Sequence, residues 1–147
     1  MLPIYILFAL VAGFGIPIQA GVNGRLRDSM SDPAWAAMVS IVVSFLCLVV
    51  YVLVRRLPPP FSEHASSVPW WGWTGGVLGV VFVLAGLILA PKLGAGLAFA
   101  LFVTGQMAAS LVLDQWGFLG LPIHHFSAPR LLGVAMLLGG VVLIRVF

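Results

Sequence analysis

The chain has 147 residues, of which 62% are hydrophobic and only 7% charged, with a formal net charge of +3. That is too little polar surface to solvate a folded globule, so a water-soluble domain is excluded and lipid must be the solvent. The basic residues are scattered over the boundaries between apolar runs instead of gathered in a patch, which makes them headgroup anchors and argues against a nucleic-acid surface.

Five long uncharged stretches follow one another: Met1 to Gly24, Pro33 to Val54, Ala65 to Pro91, Leu93 to Leu113 and Leu131 to Ile144. About twenty apolar residues at 1.5 Å rise cross the roughly 30 Å hydrocarbon layer. The predicted helices are Leu2 to Val22, Ala34 to Val54, Trp70 to Ala90, Gly94 to Leu113 and Arg130 to Phe147. The first run has no basic residue before Arg25 and is longer than the apolar part of a signal peptide, so it is expected to be a transmembrane helix. Between the helices lie Asn23 to Pro33, Arg55 to Pro69 with the stiff Pro58-Pro59-Pro60, a tight Pro91-Lys92 turn, and Asp114 to Pro129. None is long enough for a soluble domain, so residues 1–147 read as one transmembrane domain whose function lies among the helices.

In the first helix, Gln19 and Asn23 stand four apart on one face, just after Gly13, Gly15 and Pro17. A helix interrupted there would offer free backbone groups beside two amides, as many carriers do at a substrate site. The alternative is a simple kink, with the amides bonded to neighbouring backbone. On the second helix Cys47 is the single cysteine, which rules out an intrachain disulfide and reads as a packing residue. Ser40 and Ser44, with Ala36 and Ala37, form a small-residue strip suited to packing. Trp70, Trp71 and Trp73 at the start of the third helix are an interfacial aromatic belt.

The fourth helix carries the cleanest pattern. Gln106, Ser110 and Asp114 fall at i, i+4 and i+8 as one polar stripe from mid-helix to one end, with Thr104 nearby. A mid-membrane glutamine needs a hydrogen-bonding partner or a water-filled cavity, so it either lines a substrate path or joins helices. With Asp28, Asp32 and Glu63 assigned to connections, Asp114, at the boundary of the predicted fourth helix, is the only acid that could lie in a helix. Near a helix C-terminus it calls for a cation or a proton, which leaves pairing with Arg130 and proton coupling both open. His124 and His125 lack cysteine or acidic neighbours, so neither a metal site nor a cofactor is expected. On the fifth helix Gly133 and Gly140 lie seven apart and are expected at a helix contact between subunits.

Alternating the crossings puts Arg25, Arg27, Lys92 and Arg145 on one membrane face and Arg55, Arg56 and Arg130 on the other. Four against three is almost no bias, although such bias normally fixes orientation. Insertion in both directions would allow an antiparallel homodimer, rebuilding from two copies the inverted repeat that many secondary transporters carry in one chain. The plainer reading is that one orientation wins through smaller effects.

The segment Trp116-Gly117-Phe118, followed by a loop and GVAMLLGGVVLI (Gly133 to Ile144), resembles the end of small multidrug resistance proteins. The whole chain is more similar to the YdcZ-type five-helix branch of the drug/metabolite transporter superfamily. PIQAGVNGRL (Pro17 to Leu26) and LAPKLGAGLAFALFVTGQMAASLVLDQWGFLG (Leu89 to Gly120) carry that resemblance. It implies a multi-pass half-transporter of the bacterial inner membrane that dimerises into a ten-helix carrier and exports its solute. The small multidrug branch has a glutamate in the middle of its first helix; Phe8 to Gly21 has none, so the resemblance does not by itself imply proton-coupled cation export.

Together these readings give an all-α integral membrane protein with five transmembrane helices. Its expected function is secondary transport of a small organic solute by alternating access in an antiparallel homodimer. The solute would be lined by Gln19, Asn23, Gln106 and Ser110, with Asp114 as a candidate for proton coupling and Gly133 and Gly140 at the dimer contact. A non-transporting scaffold, or a partner subunit of a heteromeric transporter, is the rival. An enzyme is not expected, because no nucleophile, base and acid converge at one depth.

Overall fold

In the computed structural model, residues 2–58 and 68–147 are described, and every regular element among them is helical. The helices are α1 (Leu2–Met30), α2 (Pro33–Val54), α3 (Gly75–Leu93), α4 (Ala95–Trp116) and α5 (Ala128–Val146), with short 3₁₀ turns at Trp70–Thr74 and Phe118–Gly120. With the Trp70–Thr74 turn added to α3, all five are long and apolar enough to cross a membrane, so the chain has the build of a five-span membrane protein. Pro59 and Pro60 of the proline segment, and Glu63, lie outside the described residues.

Several helix ends differ from the sequence reading, each for a local reason. Helix α1 continues past Val22 to Met30, because arginines are good helix formers and neither Gly21 nor Gly24 is in a breaking conformation. Asp28 therefore lies in a helix and not in a connection, which corrects the expectation that Asp114 is the only helical acid. The connection shrinks to Ser31-Asp32: Ser31 takes φ +64°, and Asp32 Oδ1 accepts from Ala34 N at 2.7 Å to cap α2, with Pro33 in the first turn. Pro17 does not interrupt α1, which corrects the broken-helix expectation.

The expected Pro91-Lys92 turn is also absent, since α3 runs through both residues to Leu93. The chain breaks at Gly94 instead, whose φ of +82° with ψ 146° is open essentially only to glycine. Pro129, assigned to a connection from the sequence, sits in the first turn of α5, where its missing N–H costs nothing.

The described chain divides into two compact units, one ending at Ile88 and one from Leu89. In the first, α1 and α2 form a tight hairpin, and Ala36, Ala37 and Leu87 are its buried core, flanked by Leu26, Val83 and Leu84. Alanines at the contact let the backbones approach, the packing that holds helices together in lipid. In the second, α4 packs on α5 and buries Leu97, Thr104 and Leu111, seven residues apart along one face, together with Ala98. Large apolar side chains such as Phe8, Phe14 and Leu53 point outward and are exposed, as expected where lipid is the solvent. Cys47 is exposed as well, so it does not pack inside the chain.

Candidate functional site

In the first unit the polar residues centre on Asn23. The Ser31-Asp32 turn lies midway between Asn23 and Ser40 in sequence, so folding the hairpin brings the two side chains level. Asn23 is buried at 6% exposure and donates from Nδ2 to Ser40 Oγ at 3.0 Å. An amide in this setting needs a partner, and Ser40 supplies it. Sequence reasoning had placed Ser40 in a packing strip; the available signal was its polar side chain within an otherwise apolar span. Gln19, one turn before Asn23, is exposed, so the structure separates these two residues by environment.

One turn after Asn23, Arg27 reaches across to α3. Its Nη1 donates to the Leu87 carbonyl at 3.1 Å, while Nη2 pairs with Asp28 Oδ1 at 2.6 Å. The Leu87 contact has a covalent cause. Pro91 has no N–H, so the carbonyl four residues earlier, that of Leu87, lacks its helical donor. Leu87 is only 2% exposed, and a buried carbonyl without a partner is costly, so the guanidinium fills the place the proline leaves. Nothing in the sequence spacing alone linked Arg27 to Pro91.

In the second unit the α4 stripe divides. Thr104 lies on the buried face and back-bonds to the Ala100 carbonyl at 2.8 Å. Gln106 and Ser110 are about 200° and 240° further round the helix and are exposed. They occupy the face turned away from Leu97 and Leu111, so Thr104 does not join their stripe. Asp114, at the stripe's end, is half-buried and ion-paired with Arg130 Nη2.

That pair belongs to a closed network joining α4 to α5. His124 N donates to the Asp114 carbonyl at 2.9 Å, Arg130 Nη1 donates to the His124 carbonyl at 2.7 Å, and Phe126 N donates to Gln115 Oε1 at 2.7 Å. Trp116 stacks edge-on to Phe126 with ring centroids 6.3 Å apart. Gly117 terminates α4 in the left-handed conformation, φ +63°, with its N–H on the Leu113 carbonyl. A Cβ there would lie 2.8 Å from Ile123 Cγ1 and 3.3 Å from the Leu121 oxygen. Gly117→Ala is therefore expected to destabilise the protein by about 1–3 kcal/mol, read as a lower unfolding midpoint in detergent. Among the described residues no three His, Cys, Asp or Glu side chains gather as a metal set.

The dimer candidates Gly133 and Gly140 also have definite surroundings. Gly133 is exposed and Gly140 half-buried, and a Cβ on either would meet nothing within 4 Å. Packing inside the chain therefore gives no reason for glycine at these positions.

A family profile described as "Putative inner membrane exporter, YdcZ" matches residues 4–143, a stretch that includes parts of all five helices. The "Inner membrane protein YdcZ" of Escherichia coli (strain K12) is 27% identical over 132 residues, covering 90% of this chain and 89% of that protein. No solved structure gives a significant match. The family description names export, which supports a membrane transporter. With five helices apolar enough to span and a match over nearly its whole length, the chain belongs to the YdcZ family and is a multi-pass protein of the inner membrane.

Proposed function

We propose that this chain is a secondary transporter of small organic solutes, working as an exporter by alternating access in an antiparallel homodimer. The observation that carries the reading is the placement of Gln106 and Ser110: an amide at mid-helix and a hydroxyl one turn nearer the helix end, on an exposed face of a membrane helix turned away from the face buried within the chain. Exposed to hydrocarbon, such groups would be costly, so a water-filled path or a second copy must cover them. Two copies in opposite orientation would place two such faces across one cavity; in the first unit the exposed Gln19 on α1 is a further candidate for contact with the solute. Asn23 donates to Ser40 and so ties α1 to α2 one turn from Gln19. Asp114 marks one end of the path, where a proton could take the place of Arg130 during coupling.

The open space around Gly133 and Gly140 supports a helix contact between copies. Purified chain in lipid vesicles should move amphipathic fluorescent solutes without any second polypeptide, and crosslinking should capture dimers. Gly140→Leu should lower both dimer content and transport. Failure of the single chain to transport, with activity appearing only alongside a different subunit, would favour the heteromeric reading.

A further inference from the structure

At the opposite end of the second unit from Asp114, Lys92 and Arg145 line one cavity of about 400 Å³ together with Leu93, Leu97 and Ile144. Each cation sits in the last turn of its own helix, where it favourably meets the negative end of the helix dipole. That accounts for each alone but not for two cations sharing a cavity that no acid lines. The described acids are engaged elsewhere: Asp28 pairs with Arg27, Asp32 caps α2 and Asp114 pairs with Arg130. The start of α4 at the same place has Gly94 as its cap, with no side-chain acceptor for the first amides. Two full cationic charges and the N-terminus of α4, set against only the partial charges of two helix C-termini, thus leave one concave site with a net positive potential.

A second cavity, of about 340 Å³, lies between α4 and α5 and is almost wholly apolar, lined by Phe99, Val103, Met136, Gly140 and Ile144 among others. Ile144 lines both cavities, so the cationic site leads onto an apolar groove. A small free anion would use only the first cavity, and an apolar partner helix only the second. We infer that the Lys92–Arg145 cavity and the adjoining α4–α5 groove together hold one anionic phospholipid, its phosphate between the cations and an acyl chain past Ile144. The site is independent of the transported solute. Where a partner helix packs at Gly140, the acyl chain keeps to the Ile144 end of the groove.

The test uses full-length protein in phosphatidylcholine vesicles doped with spin-labelled phosphatidylglycerol or spin-labelled phosphatidylcholine, comparing the motionally restricted fraction of each. Wild type should prefer the anionic lipid by roughly tenfold, from two cations acting at the headgroup level. Lys92→Gln/Arg145→Gln should fall to near parity, whereas Arg55→Gln/Arg56→Gln should keep the preference. The charge-keeping Lys92→Arg/Arg145→Lys pair should keep it too, which separates loss of charge from loss of fold. An equal fall with either glutamine pair would reduce the effect to general surface charge and overturn the site. So would a preference that survives Lys92→Gln/Arg145→Gln. Displacement of the lipid by millimolar inorganic phosphate would make it a free-anion site, and loss of the preference as dimers form at high protein-to-lipid ratio would give the groove to a second copy; either result overturns the lipid assignment.

Discussion

Gln106→Leu is expected to weaken solute binding roughly ten- to a hundredfold, and transport with it, while leaving a folded dimer. Gln106 is the twelfth of the 22 residues of α4, so its amide lies near the bilayer midplane and has no route to the headgroups. Leucine is of similar length and suits lipid or a packed contact, so the fold should tolerate it. What it removes is both the donor and the acceptor that a solute would use. Losing such a bond to a bound polar group costs about 1.5–3 kcal/mol, or roughly ten- to a hundredfold in affinity. Gln106→Asn, which keeps the amide on a shorter stem, should retain part of the binding. Ligand titration by fluorescence in nanodiscs reads both variants, and wild-type affinity in Gln106→Leu would remove α4 from the path.

A large stability effect is also expected at Arg27. Arg27→Gln shortens the side chain and withdraws the donor from the Leu87 carbonyl, leaving a buried acceptor empty at a cost of about 1–3 kcal/mol. Pro91→Ala supplies the missing helical N–H to that same carbonyl. In the Pro91→Ala background the Arg27→Gln penalty should therefore shrink by about 1 kcal/mol or more, a coupling between residues 64 positions apart (91 − 27 = 64) that do not bond each other. Reversible unfolding in mixed micelles gives the four free energies of the cycle. Equal penalties in both backgrounds would show that Arg27 acts through Asp28 alone.

These effects also mark what could be read from the residues alone. The five apolar runs were legible because the bilayer imposes a length and forbids charge, and both constraints are printed directly in the sequence. Helix ends were less so. Pro17 and Pro91 looked like interruptions, yet a proline removes only one bond, and at Pro91 a distant arginine replaces it. The true break, Gly94, needs a backbone angle that no composition rule reveals among 17 glycines. The Asp114–Arg130 pairing was among the readings of the sequence because few charges exist to pair. By contrast, the division of Thr104 from Gln106 depends on which face of α4 meets α5, a long-range fact. Asn23 stood out in the sequence as an amide beside an apolar span, but its partner Ser40 depends on the hairpin register set by Ser31 and Asp32.

The central claim, a carrier built from two oppositely oriented copies, is tested most directly by complementation of orientation-locked chains. Arg55→Gln/Arg56→Gln leaves four basic residues facing one, since Arg130 alone remains on that side, and should fix a single orientation. A second chain with Arg25→Gln, Leu57→Lys and Val68→Lys has the bias reversed, three against five. Cysteine-labelling from each side of the membrane verifies both orientations before export of the reporter solute is measured. Each chain alone should be inactive, and co-expression of the two should restore export to near the wild-type level. Full export by either locked chain on its own would contradict the antiparallel carrier.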